Sequence, residues 1–225
     1  SLSPAGNIWL RVGNFPANEW VAENLGSGNF RLTRERYLYE NFDFESGVPP
    51  LGGDSTGFAV YGRPSEPFWF DIAILEGDEN NKNKDIWGHI NYKFSENWNL
   101  SLFGYSGKYG SNKLDFSRLG LGIRWNTPTL VIYASFLSNS YDQVSGGSKD
   151  GVIAWLGLTY PIREMTYLDA RWERKDSDDF KVDNDFFTFH LGHSLMRNVR
   201  TALEYKVDAD ESDNNRFTWL LDVNL

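Results

Sequence analysis

The chain has 225 residues, with 22 Lys and Arg against 31 Asp and Glu, a net charge of −9, and no cysteine. A cysteine-free chain has no disulfide, no Cys-ligated zinc or iron–sulfur centre and no thiol nucleophile, and an acidic chain without a basic cluster lacks the footprint that nucleic acid requires. No apolar run reaches the roughly 18 residues of a membrane helix, which excludes a helical span but not a β-barrel, whose alternating strands average out in hydropathy. Aromatic residues make up 16% of the chain beside 21 glycines, a composition that suits β-strands carrying side chains on a surface of their own. The opening Ser1-Leu2-Ser3-Pro4 lacks an initiator Met and reads as a processed or truncated start.

In chain order, strands are predicted at about 7–15, 56–63, 68–77, 84–95, 98–107, 115–126, 130–139, 151–160, 165–174, 186–196, 199–208 and 215–225. Their period is two. Ile86, Gly88, Ile90, Tyr92 and Phe94 share one face, while Trp87, His89, Asn91 and Lys93 take the other. Leu119, Leu121, Ile123 and Trp125 alternate with Arg118, Gly120, Gly122 and Arg124, and Leu168, Ala170 and Trp172 alternate with Asp169, Arg171 and Glu173. Thr201, Leu203, Tyr205 and Val207 alternate with Arg200, Ala202, Glu204 and Lys206. Each strand thus has one apolar and one wet face.

The connections alternate short and long. Short ones fall at 64–67, 96–97, 127–129, 161–164 and 197–198, and long ones at 16–55, 78–83, 108–114, 140–150, 175–185 and 209–214. In an up-and-down antiparallel sheet this puts every short turn at one end and every long loop at the other, as in membrane barrels. Tyr61, Phe68, Phe94, Trp98, Trp125, Tyr160 and Tyr167 flank the short turns, where amphipathic rings suit a membrane–water interface. Strands of about ten residues match a tilted crossing, and a sheet of this width is expected to close rather than leave bare edges.

If the apolar face looks out to lipid, the polar face lines a lumen. It then carries Arg11, Arg118, Arg124, Asp169, Arg171, Glu173, Arg200, Glu204 and Lys206, with cross-strand pairs such as Arg171–Glu204 or Asp169–Arg200. Opposed charges on a pore wall filter small ions, and they also neutralise each other and stiffen the wall. Inward Trp87, Phe103, Tyr133, Trp155 and Tyr167 narrow the lumen of so small a barrel. The connection 16–55 holds Arg31, Arg34, Arg36, Tyr37 and Tyr39 and is too aromatic for simple disorder. It is expected either to fold into the barrel mouth as a constriction or to pack outside over the rim, and a strand pair within 30–44 would raise the count to fourteen.

Acidic residues crowd two outer loops, Asp176, Asp178, Asp179, Asp183 and Asp185 in one and Asp208, Asp210, Glu211 and Asp213 in the other. Neither matches a calcium loop, so no metal is assigned, and solvated loops bridged by divalent ions to lipopolysaccharide fit better. The histidines are His89, His190 and His193. His190 and His193 face opposite sides of a strand, as do His193 and Ser194, and no hydrolase, phosphate-loop or metalloprotease motif occurs. No catalytic residue and no cofactor is expected.

The terminal run Phe217-Thr218-Trp219-Leu220-Leu221-Asp222-Val223-Asn224-Leu225, together with the alternation throughout, resembles bacterial outer-membrane β-barrel porins, which usually end in Phe rather than Leu225. Leu10-Arg11-Val12-Gly13-Asn14-Phe15, with Arg31-Leu32-Thr33 and Tyr37-Leu38-Tyr39, is similar to a stretch of phosphate-selective-type porins. Those porins are longer, so the chain reads as a shorter relative or the carboxyl-terminal part of a larger barrel. The expected fold is all-β: one domain over 1–225, a transmembrane up-and-down antiparallel β-barrel of about 12 strands. The resemblance implies the bacterial outer membrane, contact with lipid and lipopolysaccharide, and passage of small polar or ionic solutes, with a homo-oligomer or a partner protein in the lumen left open. The alternatives are a barrel that sheaths or anchors a partner, a soluble carbohydrate-binding β-sandwich and a lipase-type enzyme.

Overall fold

The computed structural model describes residues 6–16, 54–77, 83–178, 182–196, 199–210 and 215–223. Within them lie twelve strands: β1 (Asn7–Pro16), β2 (Asp54–Ser65), β3 (Phe68–Glu76), β4 (Lys84–Lys93), β5 (Trp98–Tyr109), β6 (Leu114–Asn126), β7 (Val131–Asp142), β8 (Ser148–Arg163), β9 (Thr166–Ser177), β10 (Val182–Met196), β11 (Val199–Asp208) and β12 (Arg216–Val223). They form one antiparallel sheet in strict chain order, and no helix occurs among the described residues. The pairing ladder runs from β1 to β12; among the described residues no pairing joins β12 back to β1.

The strands lie where the alternation places them, but several run longer. β8 spans 16 residues, and β5, β7 and β9 also push into the segments assigned to long loops. Those loops shrink to 110–113, 143–147 and 178–181. Backbone pairing continues past the end of the apolar stripe because edge amides at the rim still gain from a partner. At the other end, the strands entering three short turns each carry a register shift, between Gly62 and Ser65, Pro161 and Arg163, and Ser194 and Met196. A bulge adds a residue to one strand and sharpens its twist, which lets a tight turn close a strongly tilted hairpin.

The two faces are inverted relative to a soluble protein. Ile86 is 61% exposed while its neighbour Trp87 is fully buried, and Leu121 and Trp219 are 50% and 64% exposed. Asp71, Asp85 and His89 are fully buried on the opposite face. Apolar side chains therefore look outward and polar ones inward, the arrangement that hydrocarbon solvent selects. A soluble sandwich would bury Ile86, Leu121, Leu203 and Trp219 together; here all four are exposed.

Two inward glycines set the packing of the inner wall. Gly157 lies opposite Tyr133 and Gly192 opposite Tyr167 in register. A Cβ on either would come within 2.3 or 2.1 Å of the facing ring. The missing side chain lets each tyrosine lie flat along the wall, where it reaches across the sheet with its hydroxyl.

Candidate functional site

The inner face of the sheet is the candidate site, and it has two zones. Over β3–β8 it is an aromatic cluster: Trp87 meets Phe103 edge-on at 6.3 Å, Tyr105 meets Phe116 at 5.1 Å, and Leu75, Leu137, Ile153 and Trp155 pack with them. These side chains are inward by the same parity that sends Ile86 and Leu119 outward. Trp87, Phe103, Tyr133 and Trp155 are thus inside, as their strand positions predict, and all are buried.

The second zone is the charged wall of β9–β11. In register, Glu204 stands opposite His190, and His190 opposite Asp169. One row on, Lys206 stands opposite Thr188 and Thr188 opposite Arg171; a further row holds Asp208, Phe186 and Glu173. Signs therefore match along a row and alternate along a strand. An ion pair along the strand follows: Arg171 Nε lies 3.0 Å from Glu173 Oε1 on the same strand. Residues two apart on a strand share a face, whereas β10 stands between β9 and β11. The anticipated cross-strand pair of Arg171 with Glu204 is accordingly separated by a strand. Arg200 lies opposite Ser194, two strands from Asp169, and its side chain is outside the described residues.

Asp169 instead accepts hydrogen bonds from Thr159 Oγ1 at 2.8 Å and Tyr133 Oη at 3.4 Å. His190 lies flat on Tyr167, ring centroids 5.4 Å apart, with Nε2 3.2 Å from the Tyr167 hydroxyl and Nδ1 3.5 Å from Glu204 Oε2. Lys206 Nζ sits 4.2 Å above the Phe186 ring.

The remaining cations are also held. Arg11 is ion-paired to buried Asp71 and stacks over Phe15 and Tyr61 at 4.3 and 4.8 Å. Arg118 is buried, its guanidinium 5.6 Å from the Tyr105 ring and 5.5 Å from Phe116. Arg124 Nε donates to Asn126 Oδ1 at 2.7 Å near the short turns. Arg31, Arg34, Arg36, Tyr37 and Tyr39, and the strand pair envisaged at 30–44, lie outside the described residues.

Asp71, Asp85 and Lys175 are buried members of the inner wall that were not singled out from the sequence, whereas His89 is buried on the face to which its alternation assigns it. Parity was the available signal for each. It is masked around Asp71 and Asp85 because their inward neighbours Ala73, Leu75 and Trp87 are apolar.

The rim aromatics divide. Tyr160 is exposed on the outer face, and Phe94 stacks on Trp98 at 6.0 Å, which in turn contacts Trp125 at 6.1 Å. Tyr61 and Tyr167 belong to the inner wall instead, against Arg11 and His190. At the opposite end, Arg174 lies 2.7 Å from Asp183 and 3.3 Å from both Asp176 and Asp185, and Trp172 Nε1 donates to Asp185 Oδ1 at 2.7 Å. An arginine at the centre of these carboxylates takes the place a cation would occupy. His193 faces outward beside Thr166, 2.8 Å from its hydroxyl, while His190 faces inward.

No protein-family model matches the sequence, and no curated protein matches it. Solved structures do. The fold matches the anion-selective porin from Comamonas acidovorans with a TM-score of 0.72 at 14% identity, over 88% of this chain and 63% of that one. It matches the loop-deleted outer-membrane protein OmpT of Vibrio cholerae with a TM-score of 0.66 at 13% identity, over 89% of this chain and 70% of that one. Outer-membrane-expressed OmpT of the same organism matches with 0.61 at 14% identity, over 96% and 73%. The chain therefore spans less than two thirds of the length of the anion-selective porin, and its fold is that of outer-membrane β-barrels. None of these comparisons points to the phosphate-selective group.

Proposed function

We propose that this protein is a porin-like channel of the bacterial outer membrane, passing small polar or ionic solutes by diffusion. One observation carries the reading: the sheet turns its apolar side chains outward and its charges inward. That inversion is stable only with lipid outside and polar groups within. Support comes from the likeness to an anion-selective porin and from the rows of charge on β9–β11. In a bilayer the outer edges of β1 and β12 must both be met by strand, each other's or another's, because lipid offers their amides no partner.

Deep in the wall the charges compensate one another, Arg11 with Asp71 and Arg171 with Glu173. The arginines at mid-depth therefore stiffen the wall more than they attract anions. Reconstitution into a planar bilayer tests the channel: discrete steps of conductance are expected.

A second reading has its own observation. The aromatic cluster over β3–β8 is buried and closely packed, as befits a barrel that anchors or sheaths a partner. Silence from protein shown to be inserted and folded would favour that scaffold over the channel. Catalysis by a His/Ser pair finds no support, since His193 looks outward and its neighbour Ser194 inward.

A further inference from the structure

On the outward face near the short turns, one cross-strand row is polar. Arg163 on β8, Thr166 on β9, His193 on β10 and Thr201 on β11 stand opposite one another in register. The register shift between Pro161 and Arg163 brings the arginine onto the row of Thr166. The next row toward mid-membrane is Tyr160, Leu168, Leu191, Leu203 and Trp219, as a lipid-facing surface requires. The apolar surface does not stop at the polar row. Met165, Leu195 and Met196 lie beyond it toward the turns, and all three are exposed. The row is therefore a polar band set within apolar surface, not the level at which the sheet enters water.

Its groups are donors held in place. Thr166 Oγ1 lies 2.8 Å from His193 Nδ1. With Thr166 as the donor, the imidazole carries its proton on Nε2, the nitrogen left for a group outside the chain. Trp219 Nε1 donates to Thr201 Oγ1 at 3.0 Å, which fixes the far end of the row. At the near end Arg163 is exposed and makes no ion pair among the described residues. Its counterpart at the β2–β3 turn, Arg63, is tied to Glu66 at 2.7 Å. Glu164 follows Arg163 in the chain and is exposed, yet makes no ion pair with it.

We infer that this row seats the phosphodiester headgroup of a phospholipid in the leaflet on the short-turn side. Arg163 and His193 stand two strands apart, about 10 Å at ~4.8 Å per strand, and the long arginine stem can lean in to share an anion with the imidazole. A guanidinium matches the paired oxygens of a phosphate, and the His193 N–H adds a further donor. The exposed apolar residues on both sides of the row suit the acyl chains and glycerol backbone of the same molecule. A water-borne anion would gain nothing from them, and a polar row at this depth is costly unless a polar group meets it. The seat rests on the outward face being lipid-facing; it does not rest on conduction through the lumen.

Native mass spectrometry of the full-length folded protein in a neutral detergent tests it. The protein is titrated with phosphatidylglycerol and, in parallel, with diacylglycerol of the same acyl chains, which lacks the phosphate. Saturable retention of phosphatidylglycerol is expected, with diacylglycerol lost on activation and a large excess of inorganic phosphate failing to displace the lipid. Arg163→Gln with His193→Leu is expected to weaken retention at least about tenfold, the scale of losing charge-assisted hydrogen bonds. Arg174→Gln, on β9 at the opposite end of the sheet, is expected to leave it unchanged. A gel band that shifts only on boiling shows that each variant is folded. Should the double variant fail to fold, the contrast between the two lipids in the unmodified protein decides alone. Equal retention of both lipids, displacement by inorganic phosphate, a protein dimer in place of the bound lipid, or unaltered retention in the folded double variant would overturn the seat. Conductance is read separately, so loss of the seat leaves the channel standing, and a silent bilayer leaves the seat.

Discussion

Tyr133 shows how much one missing methyl group can decide. Its ring lies over Gly157 and its hydroxyl reaches Asp169 at 3.4 Å, so a Cβ at 2.3 Å from the ring must push it away. Gly157→Ala is expected to destabilise the fold by about 1–3 kcal/mol, the usual cost of overpacking, measured by urea unfolding in lipid vesicles. Arg171 and Glu173 allow a sharper test at the same scale. Both are nearly buried and 3.0 Å apart. Arg171→Met leaves the Glu173 carboxylate without that partner and is expected to cost about 3–5 kcal/mol, whereas the double change Arg171→Met with Glu173→Leu is expected to regain most of it. The measured quantity is the coupling energy of the double-mutant cycle, and an additive result would show that the pair contributes nothing.

At the scale of the strand, the two faces should respond in opposite ways to charge. Leu121 stands in the middle of β6 on the outer face. Leu121→Arg is expected to cost about 2–4 kcal/mol there, and Tyr160→Arg near the short-turn rim about 0–1 kcal/mol, because the penalty follows depth in the bilayer. Unfolding in vesicles reads both, and an equal cost at the two sites would contradict the assigned depth. The strands themselves were legible because each uses one period from end to end. Their extents were less so. Where the apolar stripe ends, as in Asp150 and Lys149 of β8 or Lys175 and Asp176 of β9, periodicity falls silent although the backbone goes on pairing.

At the scale of the molecule, charge is distributed by level: compensated pairs at mid-depth, a recess lined by Arg63, Lys93 and Arg124 at the short-turn end, and an Arg174-centred acidic cluster at the other. A channel with such a mouth is expected to prefer chloride over potassium in dilute salt. The preference should shrink between 0.1 M and 1 M KCl, as the screening length falls from about 10 Å to about 3 Å. Reversal potentials across a salt gradient measure it, and a preference that does not change with salt would place the selectivity in a buried, unscreened site instead.

The sequence by itself determined the strands, their order, the turn ends and the two faces of the clearly alternating strands, because a period of two and the length of the connections are local properties. It could not tell which charges meet. The pairing of Arg171 with Glu173 along one strand, the tyrosines laid over Gly157 and Gly192, and the gathering of Lys93, Arg124 and Trp69 around one recess depend on register between strands. Register is a relation between distant segments, and a one-residue slip would have sent every one of these side chains into lipid.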